Sequence, residues 1–104
     1  MYLQEEIVTW AERKGIFVAP SFTTQIKGIA EETVEVTEAY TSHKHCCGPI
    51  SDVQKEMGDI YVWWINACAT IGLEPEECIR LAYEKIAKRT GHVNDQGRFV
   101  KDES

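Results

Sequence analysis

The stretch from Ser51 to Gly72, SDVQKEMGDIYVWWINACATIG, constrains the fold more than any other part of the chain. Wound at roughly 100° per residue, it spreads Ile60, Tyr61, Val62, Trp64, Ile65, Ala67, Cys68 and Ala69 around nearly the whole circumference. A helix that is apolar on most sides is normally buried. One polar strip remains, because Asp52, Glu56, Asp59 and Asn66 fall within about 80° of one another on that wheel. Glu56 and Asp59 are three apart, so their carboxylates lie side by side over one turn. Buried carboxylates are costly unless something cationic meets them. The expectation is a buried helix whose acids need a cation.

A chain of 104 residues supports one domain, residues 1–104, with a modest core. The net charge of −6, with no basic stripe, argues against a nucleic-acid binder that works by neutralising phosphates. An acidic chain can still take nucleotides when metal ions carry the positive charge. The opening MYLQEEIVTW has two early glutamates and no basic start or apolar run, so it does not read as a signal peptide. The longest apolar run, Ile60 to Ile65, is too short to span a bilayer, and the expected location is cytoplasmic. Cys46 and Cys47 are adjacent and Cys68 lies inside the apolar helix, so the four cysteines read as reduced thiols and not as a disulfide framework.

Taken in order, residues 2 to 14 form a first helix, with Leu3, Ile7, Trp10 and Ala11 on its apolar face and Gly15 as its stop. Trp10 reads most simply as core, with base stacking as the alternative. Ile16 to Pro20 connects to a second helix, which starts near Ser21 to Thr24 and runs to about Tyr40. Ile26, Ile29, Thr33, Val36, Thr37 and Tyr40 make its apolar stripe, opposite Glu31, Glu32, Glu35 and Glu38. By itself this is an amphipathic helix with a solvated acidic face. The segment TSHKHCCGPI, residues 41 to 50, reads as a loop broken by Gly48 and Pro49. His43, His45, Cys46 and Cys47 lack the paired spacing of a structural zinc site, which favours a variable surface loop.

The third helix has Ser51 as its expected N-cap, Gln54 at the capping-box position and Gly72 as its stop. A fourth helix opens on Pro75 with Glu76 and Glu77 at its N-terminal dipole. It buries Cys78, Ile79, Ala82, Tyr83 and Ile86 and ends at Gly91. Lys85, Lys88 and Arg89 suit its C-terminal end. The tail then folds as a short hairpin, Val93 to Val100 around Asp95-Gln96-Gly97, followed by a frayed end.

Two helices thus each carry an i, i+3 acid pair, Glu32 with Glu35 and Glu56 with Asp59. Twenty residues separate Glu35 from Glu56, enough for an antiparallel return that sets the pairs face to face. Four close carboxylates raise one another's pKa values unless neutralised. A hard divalent cation suits all-oxygen ligation, and Mg²⁺ commonly takes substrate phosphates as further ligands. Helical di-iron bundles want Glu-x-x-His, and no histidine here follows a glutamate at that spacing.

The pattern E31-E-T-V-E35, twenty residues, then E56-M-G-D59 resembles the EExxE…ExxD signature of the all-α nucleoside triphosphate pyrophosphohydrolases, the MazG-like group. The opening EEIVTWAERKGI, Gln25 ahead of the double glutamate, GLEPEECIRLAYEKIAKRTGH and a closing GRFVK are also similar to compact members, so the likeness covers nearly the whole chain. It implies an all-α four-helix unit assembling as a dimer or tetramer. It also implies Mg²⁺-dependent hydrolysis of a nucleoside triphosphate to the monophosphate and pyrophosphate, with Mn²⁺ as a substitute ion. Carried over by position, Glu32, Glu35, Glu56 and Asp59 would be metal ligands, and Glu31 would help orient or deprotonate the attacking water. Lys85 and Arg89 are candidates to pair with the phosphate tail, Asn66 to hydrogen-bond sugar or base, and Trp10 to cap the base. Two features depart from the group. Many compact members carry a lysine three residues after the glutamine, where this chain has Gly28, its lysine being Lys27, and the His43–Cys47 loop has no counterpart.

Two other readings stay open. A non-catalytic helical interaction module would share the fold and treat the acids as a solvated face. The same chemistry could also serve phosphoribosyl-ATP, dUTP or an alarmone such as ppGpp. Trp63, Trp64 and Tyr61 point in different directions around helix three, more apolar surface than one small unit covers, and this favours a homo-oligomer.

Overall fold

The segment that turns the chain back on itself contains one strong break, Gly48-Pro49, and the helices on either side run up to it. In the computed structural model, which describes residues 2–19 and 21–102, the order is α1 (Tyr2–Arg13), α2 (Phe22–His45), α3 (Ile50–Thr70) and α4 (Pro75–Ala87). Two short strands follow, β1 (Gly91–Val93) and β2 (Phe99–Lys101). The architecture is all-α with a terminal hairpin. No helix among the described residues is long and apolar enough to cross a membrane. The chain divides into two compact units, the first ending at Leu73 and the second beginning at Glu74.

The first unit is an antiparallel pair, α2 against α3, with α1 laid on α3. Its centre is small: Ala11, Ile65, Ala67 and Cys68 are the buried apolar residues, joined by the buried amides of Gln25 and Asn66. Helix α1 stops where Gly15 takes φ +80°, its N–H bonded to the Glu12 carbonyl. Ser21 caps α2, its hydroxyl accepting from the Thr24 N–H at 3.2 Å. Helix α3 closes on Gly72 at φ +72°, with the Leu73 N–H returning to the Cys68 carbonyl at 2.9 Å.

Several expectations are corrected. Helix α2 does not end at Tyr40 but continues to His45, because nothing between Thr41 and His45 breaks a helix. Thr41 bonds back to the Thr37 carbonyl, and the turn is made by the N–H groups of Cys46 and Gly48, both on the Ser42 carbonyl. His43 and His45 are therefore helical, and the Cys46 and Cys47 sulfurs lie 3.2 Å apart as thiols. Ser51 is not an N-cap: α3 begins one residue before it, with Pro49 in the cap position and no side-chain bond. The inward face of α2 is also turned from the expected one. Gln25, Gly28, Ile29, Glu32, Val36 and Ala39 are buried or half-buried, while Ile26, Thr33, Thr37 and Tyr40 are exposed. Trp10 is not core, being 47% exposed, and Leu3 is exposed too. Only Ile65 to Cys68 of α3 is fully buried.

In the second unit, Glu74 caps α4 through the Glu76 N–H, Pro75 takes the first turn, and Arg80 bridges Glu77 and Glu84 along its surface. The face expected to be buried is open, since Ile79, Tyr83 and Ile86 are exposed. Helix α4 ends at Ala87 and not at Gly91, which instead pairs with Lys101 across the hairpin. A Cβ at Gly91 would collide with the Val100 carbonyl and the Phe99 ring, so the close strand approach needs glycine there. Asn94 closes the turn, its Oδ1 accepting from the Gln96 and Arg98 N–H groups, with Gly97 at φ +78°. Asp102 is tied back to Thr90 through its N–H at 2.8 Å, and the frayed end expected beyond it lies outside the described residues. Glu103, Ser104 and the connector's Pro20 lie outside the described residues.

Candidate functional site

The antiparallel return brings the two acid-bearing turns together inside the first unit. Glu32 and Glu35 of α2 and Glu56 of α3 each present a carboxylate oxygen, and these three oxygens lie within 4.8 Å of one another. Glu32 and Glu56 are half-buried and Glu35 is exposed. Glu32 Oε2 and Glu56 Oε2 are buried without a hydrogen-bond donor. Such proximity penalises a third charge. The Glu35 carboxyl is pushed up to about 7, first by its hydrogen-bonding approach to Glu32, then by the Glu32 charge and by Glu56. Glu56 is also raised, by its hydrogen-bonding approach to Glu32 and by loss of water around it. Orphaned carboxylate oxygens in an all-oxygen cluster are the donor set that a hard divalent cation takes. The residues fit such an ion.

Beside the cluster lies a pocket of about 370 Å³, lined by Trp10, Ile16, Gln25, Glu32, Asp59, Val62, Trp63 and Asn66. Glu32 therefore belongs to both cluster and pocket. Asp59 is exposed and stands in the pocket wall, one turn beyond Glu56, and its charge raises the Glu56 pKa. Asn66 is 3% exposed, and its buried Oδ1 has no hydrogen-bond partner. Such an acceptor normally finds a donor, so the pocket offers an unmet hydrogen bond beside two indole faces.

The expected site residues are thus distributed unevenly. Glu32, Glu35 and Glu56 converge; Asp59, Asn66 and Trp10 line the adjoining pocket. Glu31 is exposed on α2, about 100° around the helix from Glu32, and is not one of the three converging acids. Lys85 and Arg89 belong to the second unit, Lys85 in the last turn of α4 and Arg89 beyond it. There Arg89 lines a cleft with Arg98, Phe99, Val100 and Lys101. The residue that sequence reasoning missed is Trp63. It is half-buried, walls the pocket, and donates its indole N–H to Glu32 Oε1 at 3.4 Å. Its only sequence signal is the departure at Gly28, where a Cβ would collide with the Trp63 ring.

An all-α chain with an acid cluster on a helical hairpin and an indole-walled pocket beside it defines a narrow class. Residues 20–94 match the family model of the MazG nucleotide pyrophosphohydrolase domain, and the chain belongs to that family. No curated protein and no solved structure matches the chain significantly.

Proposed function

We propose that the protein is a Mg²⁺-dependent pyrophosphohydrolase that converts a nucleoside triphosphate or its deoxy form to the monophosphate and pyrophosphate. The observation that carries this is the convergence of Glu32, Glu35 and Glu56 within 4.8 Å, next to a pocket wide enough for a base. Glu32, Glu35 and Glu56 would hold the ion, with Asp59 as the fourth ligand. The chemistry a divalent cation supplies there when bound is neutralisation of phosphate charge and acidification of a coordinated water. The chain itself provides the rest. Trp10 and Trp63 offer aromatic faces to a base, and the Asn66 amide offers a hydrogen bond to its edge or to the sugar. Glu31 and Glu35 are the carboxylates assigned to orient or deprotonate the attacking water. Lys85 and Arg89 are the cations assigned to the phosphate tail. A homodimer or tetramer in the cytoplasm is part of the same reading.

A pyrophosphate-release panel over ribo- and deoxyribonucleoside triphosphates, with Mg²⁺ and with chelator, tests it. The expected outcome is release that requires Mg²⁺ and favours a few nucleotides. No release across the panel, with no Mg²⁺-induced rise in melting temperature, would leave a non-catalytic module. A Mg²⁺-induced rise without release would redirect the search to alarmones and phosphoribosyl nucleotides.

A further inference from the structure

We infer that Trp63 is the positioning residue of the acid cluster, seated in the gap left by Gly28 so that its indole N–H fixes Glu32 for metal binding. The inference rests on the reading of that cluster as a metal centre. Three observations carry it. First, the ring and the glycine are complementary: a Cβ at the buried Gly28 would run into the six-membered ring of Trp63, so no larger residue fits at that position without moving the indole. Second, the indole N–H reaches across the α2–α3 seam to Glu32 Oε1 at 3.4 Å. Third, the other oxygen of the same carboxylate, Oε2, is buried and has no hydrogen-bond partner.

The two oxygens of Glu32 therefore divide their tasks. A glutamate has three side-chain torsions, and an untethered one loses rotamer freedom when it binds an ion. With Oε1 held by an indole donor that is itself wedged between helices, much of that freedom is already lost in the metal-free protein. Donors of this kind behind a ligating carboxylate commonly contribute 10–100-fold in metal affinity or activity. At 3.4 Å the bond is long for an N–H···O contact, as hydrogen bonds around an unloaded site commonly are. Trp64, next in sequence, lies on a different side of α3 against Tyr61, at 6.1 Å between ring centroids, and serves as the internal control.

The test is Mg²⁺ binding followed by calorimetry and thermal shift, with nucleotide turnover as a second readout. Trp63→Phe keeps an aromatic wall and loses the donor. Gly28→Ala keeps the donor and displaces it. Both are expected to weaken Mg²⁺ binding about tenfold or more, with Trp64→Phe changing it less than about twofold. At saturating Mg²⁺, Trp63→Phe should lower kcat more than it raises KM, because the aromatic face remains. A purely structural role would lower the metal-free melting temperature and leave the Mg²⁺ midpoint where it was. If Trp63→Phe binds Mg²⁺ as the parent does, the inference is overturned while the metal centre stands. If the parent binds no Mg²⁺, the metal centre falls and the inference with it. Should Trp63→Phe fail to fold, Gly28→Ala decides alone, and an unchanged midpoint there overturns the inference.

Discussion

Three carboxylates whose oxygens lie within 4.8 Å need either a shared proton or a cation, and the choice between them depends on pH. Glu35 at about 7 lies above its ordinary 4.5, so the folded state holds that proton more tightly than the unfolded chain does. Its contribution to stability is complete below about pH 4.5 and disappears as pH rises through 7. The metal-free protein should therefore lose melting temperature over that window, and the stabilisation by Mg²⁺ should grow over the same window as the ion replaces the proton. Melts with chelator and with Mg²⁺ at each pH check this; a constant gap between the two curves would contradict it. Glu56→Gln removes one of the crowded charges. It should raise the metal-free melting temperature at pH 8, abolish the Mg²⁺ shift, and reduce pyrophosphate release by about 100-fold or more. A variant that loses stability and keeps turnover would remove Glu56 from the site. The three converging acids were legible because i, i+3 spacing fixes which side chains share a helix face. Trp63 was not. Its contact with Glu32 depends on a missing Cβ at Gly28, thirty-five positions away, and a hydropathy pattern carries no information about which ring fills which gap.

At the scale of the elements, helix existence follows from local chemistry and helix ends follow from which backbone groups are satisfied. All four helices were legible from apolar spacing and from Gly15, Gly72 and Pro75. The boundaries that shifted did so for identifiable reasons. Thr41, Ser42, His43, Lys44 and His45 include no helix breaker, so propagation continues to His45, three residues short of Gly48. The Ser51-x-x-Gln54 pattern imitates a capping box, yet Pro49 already starts the helix with its own carbonyl, which accepts from the Asp52 N–H at 3.1 Å. The caps give a paired prediction. Ser21→Ala should cost about 1 kcal/mol, because it strips the Thr24 N–H of its acceptor. Ser51→Ala should change stability by no more than about 0.5 kcal/mol, as for any exposed helical position. Urea unfolding of the two variants checks this, and equal losses would restore Ser51 as a cap. The inward face of α2 departs from its hydropathy stripe, and two of its inward positions, Gly28 and Glu32, meet Trp63. A polar Gln25, a bare Gly28 and a ligand-like Glu32 point inward where a hydropathy stripe would place Ile26, Thr33 and Tyr40.

At the scale of the whole molecule, the family was legible from the spacing of five acids and their flanks, while the substrate was not, because an amide and two indoles can accommodate many bases. What the whole chain leaves exposed is more specific. Val34, Met57, Ile79, Leu81, Tyr83 and Ile86 are each more than half exposed or close to it, and Ile79, Tyr83 and Ile86 recur at helical spacing along α4. A monomer rarely leaves so much apolar surface in water, and a second copy of the same chain is the commonest cover. Sedimentation equilibrium should therefore give at least twice the mass of one chain, and the melting temperature should rise with protein concentration, since association stabilises only the folded form. Ile79→Lys should weaken self-association by about tenfold or more, because an unpaired ammonium would have to be desolvated in the interface. The same change should leave the Mg²⁺ midpoint of the acid cluster unaltered, since its three converging carboxylates come from α2 and α3. A single-chain mass at every concentration, with Mg²⁺-dependent pyrophosphate release intact, would mean that one copy completes the site and that the exposed stripe of α4 has another use.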